Sequence, residues 1–259
     1  MIKPAIYLPL IVLLLTVAGF NLPARGTPSS VPSAEDGGEG LGISAGRPAI
    51  LAEPAAPEPL QVALQAGHWK ASEAPDELSG VRRNGGTRGG GKYEWEVNLE
   101  IAELAAALLE EGGYQVEVLP ATVPQRYKAD AFVAIHADGN NDSSLTGYRV
   151  ASPRRDVTRK AGELAEVLAE AYGEVTGMRR LPVATRRMRG YYAFRYNRYR
   201  HSIHPTTVGV IIETGFLTSP TDQRILVGNP ALAAQGIFEG VSRFLGPAEL
   251  PRLLPEPTP

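Results

Sequence analysis

Two hydrophobic rhythms alternate between residues 61 and 245. Short apolar or alternating runs at 61–65, 114–118, 131–135, 147–151 and 207–212 have the length and pattern of strands. The runs at 131–135 and 207–212 are continuously apolar, as expected of strands covered on both faces. Between them lie stretches of helical period. One spans 96–111, with Leu99, Ala102, Ala106 and Leu109 on one side and Gly112-Gly113 as its stop. A second spans 157–172, with Ala161, Leu164, Val167, Leu168 and Ala171 aligned. Two more, 220–227 and 230–245, each open on a proline, which the first helical turn tolerates because its N–H groups have no intrahelical partner. Alternating strands and helices predict an α/β fold: a mixed, mostly parallel sheet with helices on both faces.

Outside that span the rhythm is lost. Lys3 precedes an apolar, uncharged stretch from Pro4 to Ala24, so residues 1–26 read as a signal peptide or an N-terminal membrane anchor. Residues 27–60, rich in Pro, Ala and Gly, read as a disordered linker. Residues 61–246 read as the single folded domain, and 247–259 as a Pro-rich tail. The expected location is therefore extracytoplasmic: periplasmic, cell-wall or secreted, with a membrane tether open as an alternative.

Composition narrows the chemistry. A net charge of -2 gives no global attraction to nucleic acid or membranes. Cysteine is absent, so a metal must rest on histidine and carboxylate ligands, and only His68, His136, His201 and His204 are available. Two of these sit at the ends of predicted strands: His68 closes Val62-Ala-Leu-Gln-Ala-Gly-His68, and His136 closes Phe132-Val-Ala-Ile-His136. Glu213 ends Val208-Gly-Val-Ile-Ile-Glu213, and Thr214-Gly215-Phe216 is expected to turn the chain. Residues just past the ends of buried strands converge on one crevice in α/β proteins. Each has a plain structural alternative: a solvated loop histidine, a satisfied core histidine, and an ion-paired carboxylate. Asp138 and Asn140 are candidates to orient the His136 ring. In Tyr93-Glu-Trp-Glu-Val-Asn-Leu99, Glu94 and Glu96 are equal candidates on spacing, and either serves equally well as an ordinary first-turn acid.

The set Gln65-Ala-Gly-His68, Glu94-Trp-Glu-Val-Asn-Leu99, Ala134-Ile-His136-Ala-Asp138 and Ile212-Glu213-Thr-Gly-Phe216 resembles the zinc-dependent N-acetylmuramoyl-L-alanine amidases, amidase type 3, of bacterial cell-wall turnover. The resemblance covers the whole domain, with the motifs in the family's order. It implies Zn2+ held by His68, Glu94 and His136, and Glu213 as the catalytic carboxylate that moves a proton from the attacking water to the leaving amine. It implies a peptidoglycan (muramyl peptide) substrate, cut between N-acetylmuramic acid and L-alanine. Three positions depart from the pattern: Gln65 stands where the family has an acid, Trp69-Lys70 where it has Gly-Gly, and Asp138 where it favours Asn. Competing readings are a zinc peptidase or amidohydrolase acting on a different amide, and a non-catalytic wall-binding relative. The expected state is a monomer with no nucleic-acid partner.

The segment 179–204 holds eight arginines and five aromatic residues, and no acid occurs between Glu174 and Glu213. It reads either as a loop facing substrate or wall, whose carboxylates and phosphates arginine binds well, or as a basic surface whose tyrosines pack on the core. His201-Ser-Ile-His204 lacks a third ligand and a helix, so it is not expected to hold a metal. The glycine run from Gly85 to Gly91 lacks the Gly-Lys-Ser/Thr ending of a phosphate loop and is expected to be a flexible loop beside the cleft.

Overall fold

The computed structural model describes residues 58–246. The predicted leader, the linker up to residue 57 and the Pro-rich tail lie outside the described residues. Among the described residues no helix is long and apolar enough to cross a membrane.

The chain runs β1 (Gln61–Ala66), α1 (Ser79–Arg82), β2 (Arg88–Gly89), β3 (Lys92–Tyr93), α2 (Glu94–Glu111), β4 (Gln115–Leu119), β5 (Ala131–Asp138), β6 (Arg149–Ala151), α3 (Ala161–Thr176), α4 (Arg186–Arg189), β7 (Val208–Phe216), α5 (Pro220–Leu226) and α6 (Pro230–Leu245). The main sheet has the order β4-β1-β5-β7-β6. Its pairs are parallel except β6 with β7, so the sheet is mixed and mostly parallel as expected.

The two faces of the sheet are covered differently. Residues of one parity, Val62, Leu64, Val133, Ile135, Val210 and Ile212, pack against α2, α3 and α6 in one apolar cluster. Residues of the other parity, Ala63, Phe132, Ala134 and Ile211, pack against Leu78, Met188, Tyr192, Phe194 and Ile203, which come from short helices and loops. Because a strand's side chains alternate faces, Gln65, His136 and Glu213 belong by parity to this second face.

Sheet order also explains the site's location. From β1 the chain crosses through α2 to β4 on one side, and from β5, on the other side of β1, it proceeds to the edge strand β6 and then back to β7 between them. The switch point therefore lies between β1 and β5, and the crevice at the carboxyl ends of such strands is where an open α/β sheet binds ligands.

Several predicted boundaries shift. The second long helix begins at Ala161, not 157, because the Asp156 carboxylate accepts from the N–H of Thr158 at 2.9 Å and of Ala161 at 2.8 Å, closing a loop that leaves Val157 exposed. Strand β7 does not end at Glu213: Thr214-Gly215-Phe216 continue it, with a register shift opposite the step from His136 to Asp138. Buried Asp222 fixes that extension by accepting from Phe216 N–H at 2.8 Å and Gly147 N–H at 3.0 Å.

Candidate active site

His68 lies two residues beyond β1, in the left-handed region at φ 63. Its Nδ1 lies 2.8 Å from the Asn84 carbonyl, which can only accept, so that nitrogen carries the hydrogen and Nε2 is turned inward. His136 lies within β5, and Glu213 is its register partner on β7. Between β1 and β5 the backbone must come very close to the His136 ring. A Cβ on Gly67 would stand 2.5 Å from it, which is why glycine precedes His68.

Glu94 is the first residue of α2 and is buried. Three N–H donors aim its carboxylate: Thr87 N–H to Oε2 at 2.8 Å, Ala137 N–H to Oε1 at 3.2 Å, and Asn98 Nδ2 to Oε1 at 3.3 Å. The glycine run forms the β2–β3 hairpin, not a flexible loop, and delivers that Thr87 N–H. Gly86 there has φ 76, and a Cβ would lie 2.6 Å from Glu94 Oε2. Glu96, equal to Glu94 on spacing, turns back to accept from Tyr93 N–H at 2.7 Å and so caps the helix.

These elements converge on one point. Glu94 Oε1 lies 3.3 Å from His68 Nε2 and 3.1 Å from His136 Nδ1. The ligand atoms of the three residues all fall within 4.8 Å of one another. Metal–ligand bonds of about 2.0–2.2 Å in tetrahedral array place neighbouring ligand atoms roughly 3.3 Å apart, so this donor set fits zinc. Burial alone would raise the Glu94 pKa, but hydrogen bonds and charge from His136 and His68 outweigh it and hold the carboxyl well below the usual range. Burial lowers the His68 pKa, yet Glu94 and the Asn84 carbonyl raise it on balance.

The other His136 nitrogen is engaged behind the site. Its Nε2 lies 3.2 Å from the Tyr191 hydroxyl, and that hydroxyl donates to Gln65 Oε1 at 2.9 Å. Gln65, fully buried, donates through Nε2 to Ala121 O at 3.0 Å and to the Tyr192 hydroxyl at 2.9 Å. Since the phenol's hydrogen goes to Gln65, its oxygen accepts from His136 Nε2–H. With Nε2 as the donor, Nδ1 would be the nitrogen that presents a lone pair to a metal ion beside Glu94.

Glu213 lines the same cleft, of about 720 Å³, together with His68, Glu94, His136, Asp138 and Tyr191. Burial, reinforced by the negative charge of Glu94 and Asp138 and only partly offset by Arg149, pushes its carboxyl well above the ordinary range. Arg149 is its cross-strand partner, but the guanidinium pairs with Asp138 at 3.3 Å. The cation that would have made Glu213 a structural ion-pair residue is committed elsewhere.

The model of the N-acetylmuramoyl-L-alanine amidase family matches residues 62–243, the span that holds all four of these residues. The chain belongs to this family. The amidase shares its fold with an N-acetylmuramoyl-L-alanine amidase from Clostridium difficile 630, at 20% identity and a TM-score of 0.51, covering 72% of this chain and 97% of that one. An N-acetylmuramyl-L-alanine amidase, Ami1, from Mycobacterium abscessus aligns with a TM-score of 0.52 at 18% identity, over 72% and 99% of the two chains. No curated protein matches the sequence.

One further expectation for the amidase needs correction. Neither Asp138 nor Asn140 touches the His136 ring: Asp138 pairs with Arg149 and accepts from Gly139 N–H, and the Asn140 side chain accepts from Asp142 N–H. That part is taken by Tyr191, and the alternation of tyrosine and arginine gave no means of choosing it. Trp69 is half-buried against the main core. His201 meets Glu77 at 2.5 Å and His204 meets Thr206 at 2.7 Å, so the two do not share a site.

Proposed function

We propose that this amidase hydrolyses the amide between the lactyl group of N-acetylmuramic acid and L-alanine in peptidoglycan, with Zn2+ held by His68, Glu94 and His136. The observation that carries the reading is the placement of two imidazole nitrogens at 3.1 and 3.3 Å from one Glu94 oxygen, beside a carboxylate with no cation of its own. When bound there, zinc supplies a Lewis acid for the scissile carbonyl and lowers the pKa of adjacent water. Glu213 accepts a proton from the attacking water and passes it to the departing alanine amine; a carboxyl whose hold on a proton is strengthened by burial is suited to both transfers. Thr87, Asn98 and Ala137 hold Glu94 in place, and Tyr191 with Gln65 holds His136. The organisation that supports this role is an exported chain: leader or anchor at 1–26, linker at 27–60, catalytic domain at 61–246, tail at 247–259.

The test is purified protein on isolated peptidoglycan, with added zinc and with chelator. New L-alanine amino termini should appear in step with lactyl carboxylates, stop with chelator and return with zinc. Sustained release in chelator would remove the metal from the reading. New amino termini on residues other than L-alanine would mean that a different amide is cut.

A further inference from the structure

Five arginines line a second groove of about 650 Å³: Arg154, Arg155, Arg186, Arg189 and Arg195. Two segments supply them, the loop after β6 and the stretch that runs from α4 to Arg195. The segments are joined by Arg154 N–H donating to the Arg189 carbonyl at 3.0 Å. The support beneath is rigid: Met188 and Phe194 are buried in the second-face cluster, and the Thr185 hydroxyl accepts from Met188 N–H at 3.2 Å. No acidic residue lines the groove. Arginine ion pairs among the described residues use Arg82, Arg149, Arg180 and Arg243, none of the five. Five guanidinium groups around one concavity repel one another, so a ligand bearing anions lowers the free energy of that arrangement.

The groove communicates with the catalytic cleft, because Arg186 lines both and Arg187 lines the cleft. Its ligand is therefore expected to continue from the molecule whose amide is cut. On one side of that amide lies a glycan of neutral hydroxyl-bearing sugars; on the other lies a peptide bearing free carboxylates. Guanidinium forks match carboxylates in pairs of parallel hydrogen bonds. We propose that the arginine groove binds the free carboxylates of the stem peptide, making the enzyme selective for unamidated stems. This rests on the amidase reading above.

The experiment compares two soluble muramyl peptides that differ only in whether the stem's side carboxyl groups are free or amidated. Wild-type enzyme should favour the free-acid substrate by about tenfold in kcat/KM, the low end of what one charge-assisted hydrogen bond contributes. The double variant Arg154→Gln/Arg189→Gln should reduce that preference to near unity, and Arg198→Gln, outside the groove lining, should leave it intact. A ratio within one enzyme is insensitive to partial loss of folded protein. An unchanged preference in the double variant overturns the proposal. So does a double variant that keeps the preference but loses binding to a phosphate-bearing wall polymer, which would make the groove a phosphodiester site. If wild type cuts neither substrate while retaining zinc, the amidase reading falls first, and this proposal with it.

Discussion

The two faces of one sheet follow different rules. On the helix face, the contacts of β1, β5 and β7 with α2, α3 and α6 are mainly apolar, with the buried Tyr172 hydroxyl donating to the Thr214 carbonyl at 2.8 Å as a polar exception, and side-chain period largely decides what is buried. On the cleft face, the strands carry Gln65, His136 and Glu213 near their carboxyl ends, and the cover is a set of short helices and loops threaded with hydrogen bonds. The first arrangement stabilises the fold by removing surface from water. The second holds carboxylates and imidazoles where they are costly to bury, an expense met from the first. Changes on the two faces should accordingly separate stability from activity.

The largest separation is expected at Glu213. Glu213→Gln should lower kcat by roughly 10²–10⁴-fold, the usual worth of a positioned acid/base, and retain zinc. Burial raises this carboxyl's pKa, so in metal-free protein its ionisation works against folding as pH rises past the unfolded value and on through the folded one. The neutral amide removes that cost, and urea unfolding near neutral pH should show equal or greater stability. A variant that is both active and less stable would show that Glu213 is a structural residue.

The converse change belongs to the helix face. Leu168 is fully buried on α3, where a Cβ added to Gly240 of α6 would lie 2.6 Å from its Cα. Leu168→Ala should cost about 2–5 kcal/mol in denaturant unfolding and leave kcat per folded molecule unchanged. A fall in kcat at saturating substrate and zinc would mean that the helix layer sets the cleft's geometry more tightly than the division of labour allows.

Between these extremes stands Tyr191, anchored in the cleft-face aromatic cluster yet hydrogen-bonded to His136. Tyr191→Phe preserves the ring and removes the oxygen that accepts from His136 and donates to Gln65. Losing such a partner of a metal-binding histidine typically weakens the metal about 10–100-fold. Competition with a fluorescent zinc chelator should show this loss, and saturating zinc should restore most of kcat. Unchanged zinc affinity would sink the positioning role.

What could be read from sequence divides along the same line. His68, His136 and Glu213 were legible because each closes an apolar run, a pattern only a few residues long. Glu94 could not be told from Glu96, since both sit in a helix's first turn; the decision came from Tyr93, whose N–H draws Glu96 back. Tyr191 was hidden among similar neighbours, and its partner Gln65 lies 126 residues away. The helix start at Ala161 was missed because the Asp156 carboxylate accepts from the backbone N–H groups of Thr158 and Ala161, a local competition that side-chain period does not register. Helix-face errors thus concerned boundaries, and cleft-face errors concerned partners, which only the folded arrangement brings together.

The smallest expected effect tests how the cleft cover is attached. Glu77 accepts from the backbone N–H of Arg200 at 3.1 Å and of His201 at 2.9 Å, and pairs with the His201 ring, tying down the end of the arginine–tyrosine segment. The His201 N–H is the chief cause of its lowered pKa, which the slight burial opposes and the ring and Arg200 reinforce. Because the folded value lies below the unfolded one, the contribution is present above the unfolded value, near 4.5, and fades as pH falls through the folded one. At so exposed a carboxylate it should amount to only about 0.2–1 kcal/mol. Urea unfolding of metal-free wild type and Glu77→Gln at pH 7 should show that difference, and it should shrink as pH is lowered below 4.5; taking the difference cancels acid effects elsewhere. A gap that does not shrink with falling pH would assign the attachment to packing around Glu77 instead of its charge. A fall in kcat at neutral pH would mean that this tether also sets Tyr191 against His136, and that the cleft face is one coupled unit from Glu77 to the metal ligands.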